Sequence, residues 1–139
     1  MKNITIEEVE KLAHSLAKKQ MSWDEPIPAF GTRYPGKLES CLASVFQTFG
    51  RKDLYPTLVD KAAILFYLLV KNHPFINGNK RIAVTSLLVF LSLNNKWLSV
   101  SNEEMYDMAL TVAKSSPKLR RGMHELIKDF VDKNLVEYQ

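Results

Sequence analysis

The side chains of this chain best suited to chemistry fall within nine positions, His73-Pro74-Phe75-Ile76-Asn77-Gly78-Asn79-Lys80-Arg81. An imidazole such as that of His73 has an unperturbed pKa of about 6.5 and can accept a hydroxyl proton while neutral. Lys71, Lys80 and Arg81 close by would favour that neutral form. Asn77-Gly78-Asn79 has the composition of a small anion-binding nest, because Gly78 lets a phosphate approach the backbone without a side chain in the way. Lys80 and Arg81 put two cations in the first turn of a helix, where the dipole disfavours each by about 0.3–1 kcal/mol. A bound anion offsets that penalty. Each residue also has a plain structural reading: His73 as a helix end, Phe75 as a core anchor, Gly78 as a turn former, Lys80 and Arg81 as surface charges.

This polar corner separates the two most apolar stretches of the chain, Ala62 to Val70 and Ile82 to Leu93. Both are long enough for buried helices, so the expectation is two core helices meeting at an exposed cationic turn. The first is expected to begin at Asp53 or Tyr55, with Pro56 in its first turn, and to run to about Asn72. The second, from about Asn79 to Asn94, is apolar on nearly all sides, as the centre of a bundle requires.

Around this pair, Thr5 to Lys19 reads as a helix, with Thr5 and Glu8 at capping-box spacing and Ile6, Val9, Leu12, Ala13 and Leu16 on one face. Residues 20–36 contain three prolines and two glycines, which leaves a long loop or a short β-hairpin. Its Trp23, Phe30, Arg33 and Tyr34 suit either a tether to the core or a docking edge for another chain. From Lys37 to Phe49 a helical stripe includes Cys41, which reads as a buried, inert thiol. Ser101 with Glu104 caps a further helix containing Met105, Met108, Ala109 and Val112. Ser116-Pro117 opens the last, whose apolar face is Leu119, Met123, Leu126, Ile127, Phe130 and Val131, with His124 beside it as a structural residue. No β pattern stands out beyond the Pro-rich loop. The fold class expected is all-α, about six helices around the helix that follows the turn, in one domain spanning 1–139.

Bulk properties narrow the function. With 139 residues, 46% apolar and 24% charged, the chain is in the globular range. A single cysteine excludes an internal disulfide framework and fits a reducing cytoplasm. Glu7 and Glu8 stand where a signal peptide needs an apolar core, and no run approaches the roughly 18 apolar residues of a membrane span. The net charge of +4 favours an anionic partner. DNA binding through a helix-turn-helix is disfavoured because the helix after the turn is too apolar to lie in a groove.

His73, Phe75, Gly78, Asn79, Lys80 and Arg81, at their spacing between two buried helices, resemble the signature of the Fic/Doc family. The resemblance implies an all-α Fic fold whose turn holds the phosphates of ATP and Mg²⁺ while a Ser, Thr or Tyr hydroxyl of a target protein attacks. It makes His73 the general base, gives Gly78 and Asn79 to the anion hole, and sets Lys80 and Arg81 on the phosphates. It also implies that the 20–36 loop is a flap aligning the target by strand addition, with Arg33 and Tyr34 as the docking residues. Most members transfer AMP. Doc-like toxins, which carry Lys where the others carry Gly, are implied to transfer the terminal phosphate instead, and Lys80 places this chain with them. Val84, where many AMP-transferring members have a second Arg, points the same way.

One departure concerns the metal. Asn77 stands where the family has Asp or Glu, and an amide oxygen is a weaker Mg²⁺ ligand than a carboxylate. Ser99 and Glu103 match the family's inhibitory helix poorly, so inhibition is expected from a separate antitoxin. The reading implied is a Doc-like toxin phosphorylating a translation factor such as elongation factor Tu. The alternatives are AMP transfer and a non-catalytic interaction protein on the same scaffold.

Overall fold

The computed structural model describes residues 1–20, 36–75 and 78–138. The expected flap, with Arg33 and Tyr34, lies outside the described residues apart from its ends, as does Asn77. Among the described residues the architecture is six helices and two small antiparallel β pairs.

The two helices that flank the turn form the middle of the molecule. Helix α3, Leu58–Asn72, is buried at every position from Asp60 to Val70, and helix α4, Asn79–Leu93, from Arg81 to Leu91. Burying a Leu, Ile or Phe side chain is worth about 1.5–3 kcal/mol, so these helices supply much of the hydrophobic driving force. Helix α3 starts later than expected. Thr57 is its N-cap, closing a capping box in which Thr57 Oγ1 accepts from the Asp60 N–H at 3.0 Å and Asp60 Oδ2 accepts from the Thr57 N–H at 3.2 Å. Pro56 therefore precedes the cap rather than occupying the first turn. Aspartate closes the box where glutamate is the more familiar partner.

Helix α1 has three continuous pieces, Ile6–Glu8, a π segment Val9–Ala13, and His14–Gln20. The expected Thr5–Glu8 capping box is present. The buried Thr85 hydroxyl of α4 donates to the Ala13 carbonyl at 2.7 Å, joining the end of the π segment to the central helix. Buried hydroxyls need such an acceptor.

Helix α2, Lys37–Ser44, buries Leu38, Cys41 and Leu42 but stops short of the expected Phe49. A short β-hairpin follows, β1 Thr48–Phe49 and β2 Lys52–Asp53. Gly50 (φ 59°) and Arg51 (φ 69°) both have positive φ, as a primed two-residue hairpin turn requires. Phe49, counted in the buried stripe, is 84% exposed.

The hairpin is held from outside. Lys61 of α3 is 1% exposed, pairs with Asp53 at 3.0 Å, donates to the Tyr55 carbonyl and lies 4.7 Å from the centroid of the Phe46 ring. Such tertiary anchoring leaves no periodic trace. Strands β3, Lys96–Leu98, and β4, Leu135–Glu137, were likewise too short to signal themselves and pair antiparallel, Trp97 opposite Val136.

Helix α5, Asn102–Lys114, begins at the expected Ser101–Glu104 box and buries Met105, Ala109 and Val112. Ser116-Pro117 opens a single 3₁₀ turn, Pro117–Leu119, and helix α6 runs Arg120–Asn134. Helix α6 lies antiparallel along α3, since Arg120 sits over Tyr67 while Lys128 reaches Asp60. Ile127 and Val131 are buried as expected, but Leu119 and Leu126 are 53% and 39% exposed. Among the described residues no helix is long and apolar enough to cross a membrane.

Candidate functional site

The chain leaves α3 at His73, which has φ 47° and ψ 55°, a left-handed conformation uncommon for a residue with a Cβ. The αL residue followed by Pro74 ends the helix, because proline cannot continue it. His73 is exposed, whereas Pro74 is buried and Phe75 is 1% exposed. Phe75 is thus the expected core anchor, holding the turn to the body of the protein.

The last turn of α3 is steadied from α2. Asn72 Nδ2 donates to Cys41 Sγ at 3.5 Å, and Cys41 Sγ lies 3.8 Å from the Leu68 carbonyl as its donor. Burial pushes the Cys41 thiol up from its ordinary pKa and outweighs the opposing Asn72 hydrogen bond and Lys37 charge. The thiol is therefore neutral, as its position on the buried stripe suggested. Lys71 Nζ donates to the Ser115 carbonyl at 2.5 Å and reaches Ala113 O at 3.4 Å. Of the three cations expected around His73, it is engaged at the C-terminus of α5, whose carbonyl ends attract cations.

On the other side of the turn, Gly78 is the N-cap of α4 with φ 72° and ψ 25° and makes no side-chain cap. A Cβ there would be strained, so the backbone conformation itself calls for glycine. Asn79 closes the loop through its side chain: Oδ1 accepts from the Phe75 N–H at 2.9 Å and Nδ2 donates to the Phe75 carbonyl at 3.1 Å. The two bonds are reciprocal, and they use one of the two N–H donors of the Asn79 amide. Sequence reasoning missed this clamp; the four-residue spacing of Phe75 and Asn79 was its only trace.

Lys80 and Arg81 occupy the first turn of α4, but they are not equivalent. Lys80 is half-buried, while Arg81 is 3% exposed, so the corner is less of a surface than expected. Arg81 sits inside the fold at the helix N-terminus, where general helix geometry leaves N–H groups without intrahelical acceptors. An imidazole at one helix end, and a glycine cap and two cations at the next helix start, are groups able to receive an anion. The fit to phosphates is good. No group of three or more His, Cys, Asp or Glu that could hold a metal occurs among the described residues.

An all-α domain with a cationic turn leading into its central helix defines the class. Residues 3–91, well over half of the chain, match the model of the Fic/DOC family, and the chain belongs to that family. The protein named Toxin Doc from Mycolicibacterium smegmatis is 39% identical over 64 residues, which is 46% of this chain. The chain spans about half the length of that relative, 49%.

Proposed function

We propose that this chain is a Doc-like toxin that transfers the terminal phosphoryl group of ATP to a Ser, Thr or Tyr hydroxyl of a target protein. The observation that carries the reading is the single turn in which His73 ends α3 and Gly78, Lys80 and Arg81 begin α4, clamped by Asn79 on Phe75. His73 takes the proton of the attacking hydroxyl. The hydroxyl oxygen forms a bond to the γ-phosphorus as the bond from that phosphorus to the bridging oxygen breaks, and ADP leaves with the electron pair. Lys80, Arg81 and the backbone at the start of α4 hold the phosphates and stabilise the spreading charge. In-line phosphoryl transfer needs mainly such positioning and charge stabilisation.

Lys80 favours terminal phosphoryl over AMP transfer, because its side chain fills space and places charge that a glycine would leave open. A translation factor such as elongation factor Tu is the target class to test first, and a separate antitoxin the expected partner. The relative named Toxin Doc supports the toxin reading. Incubation with ATP labelled at the γ or the α position and with candidate targets tests the reaction. Label from the γ position is expected on the target, with loss of about 10²-fold or more in His73→Ala, the usual contribution of a general base. Transfer of α label establishes AMP transfer instead. Label surviving His73→Ala removes His73 as the base, and no transfer at all leaves a non-catalytic interaction protein.

A further inference from the structure

Beside the α3–α6 packing lies a cavity of about 610 Å³ that the turn chemistry does not use. It is lined on one side by Leu54, Tyr55 and Pro56, which link the β1–β2 hairpin to α3, and on the other by Arg120, Arg121 and His124 of α6. Its volume is in the range of small-molecule sites, which combine apolar walls with a few placed polar groups. Asp60 and Ile64 lie on its α3 side, so the cavity flanks the first half of α3, whereas His73 follows its last turn. At about 1.5 Å per residue, Asp60 and His73 are roughly 20 Å apart along the axis.

The charges in this cavity divide into a satisfied pair and an available one. Asp60 is paired with Lys128 at 2.8 Å and shares its second oxygen with the Thr57 cap, so both partners are occupied. Glu125 adds a weaker contact to the same lysine at 3.6 Å. Arg120 and Arg121 form no ion pair among the described residues; Arg120 instead lies over the Tyr67 ring, 5.6 Å from its centroid. His124 is fixed by an edge contact to Tyr55, with ring centroids 5.4 Å apart, and by Nε2 at 3.1 Å from the Asp60 carbonyl. A carbonyl only accepts, so Nε2 carries the proton of that bond.

We propose that this cavity binds a small molecule with a phosphate on a flat apolar body, of the nucleoside monophosphate class. The guanidinium forks of Arg120 and Arg121 take the phosphate, for which arginine is the suited partner. The wall of Leu54, Tyr55 and Pro56 takes the ring. The proposal does not depend on the reading of the His73 turn.

Titration of AMP into the full ¹⁵N-labelled chain, followed by amide NMR, tests it. Saturable shifts are expected at Tyr55 and from Arg120 to Glu125. The double variant Arg120→Ala/Arg121→Ala should weaken binding read at Tyr55 by about tenfold or more while leaving any shifts at Gly78–Arg81 unchanged. Both arginines are exposed, and Arg120→Lys/Arg121→Lys keeps the charge while removing the forks, so a partial loss there separates recognition from misfolding. Shifts confined to Gly78–Arg81, or none at Tyr55 with millimolar AMP, overturn the site. Inorganic phosphate binding as tightly as AMP overturns the role of the apolar wall.

Discussion

Asn79 holds Phe75 by both of its backbone polar groups, so the first residue of α4 fixes the apolar anchor of the turn that precedes it. The bonds tie the start of α4 to Phe75, and burial fixes the Phe75 ring in the core. Asn79→Ala should lower overall stability by about 1–2 kcal/mol, two hydrogen bonds at their usual net worth. Nucleotide affinity should fall more than stability does. Asn79→Asp keeps the acceptor for the Phe75 N–H but loses the donor and adds a negative charge, so its nucleotide binding should be weaker than that of Asn79→Ala. Urea denaturation and nucleotide titration on the same samples check the order; equal nucleotide affinity in the two variants would count against an anion at this turn.

Gly78 occupies a left-handed conformation at φ 72°. Gly78→Ala should cost about 1–2 kcal/mol of stability, the penalty of placing a Cβ there. On the proposed function it should also weaken phosphate binding, because the added methyl would lie at the backbone assigned to the anion. Thermal unfolding with and without nucleotide separates the two effects: the strain lowers the melting temperature alone, and lost binding removes the nucleotide-dependent rise.

Lys61 is a buried lysine at the start of the apolar stretch of α3, and its partners are Asp53, the Tyr55 carbonyl and the Phe46 ring. Lys61→Ala removes the stem packing and the ion pair from α3 to the hairpin, with an expected loss of about 2–4 kcal/mol by comparison with other large-to-small core changes. Lys61→Met keeps most of the volume and should lose less, because Asp53 is partly exposed and water can solvate it. Denaturant midpoints rank the variants. An equal loss in both would show that the ammonium, not the stem, carries the stability.

Acid should act on the Asp60–Lys128 pair. Burial raises the Asp60 carboxyl, but hydrogen bonds from Lys128 and Thr57 outweigh it and hold the pKa below the ordinary carboxylate value. Folding then favours the ionised form: this contribution is complete above the unfolded pKa of about 3.9 and is lost as pH falls through the lower folded value. Lys128 is raised, chiefly by its hydrogen bond to Asp60, so its share persists at neutral pH and is lost only above the ordinary lysine range. Asp60→Asn should be less stable at neutral pH and show a shallower decline on acidification, measured by urea unfolding across pH. A decline as steep as that of the parent would assign the acid sensitivity to other carboxylates.

Cys41 should be inert in the folded protein, since its thiol is buried and its pKa raised. Thiol labelling at mildly alkaline pH is expected to proceed at the rate of opening of the α2–α3 contact, and Cys41→Ala should retain any transfer activity. Rapid labelling of the native state would refute the buried assignment.

The family signature was legible in the sequence because its function depends on residue types at short spacing: a His, a glycine cap and two cations between apolar runs are local features. The central helices were legible for a related reason, as burial on all sides imposes an apolar composition that needs no partner to recognise. Capping boxes at Thr5 and Ser101 were also readable, since a cap is made within four residues. The hairpin at Thr48–Asp53 was not, because its anchor is Lys61, from a helix that begins after it. Arg81 read as a surface cation, and only the packing around α4 buried it. The sequence by itself determined which groups stand at the turn and in what order. Tertiary structure decided that Asn79 clamps Phe75, that Lys71 serves α5, and that Arg120 and Arg121 meet Tyr55 across a cavity, because those relations depend on how separate segments pack and on the hydrogen bonds that packing completes.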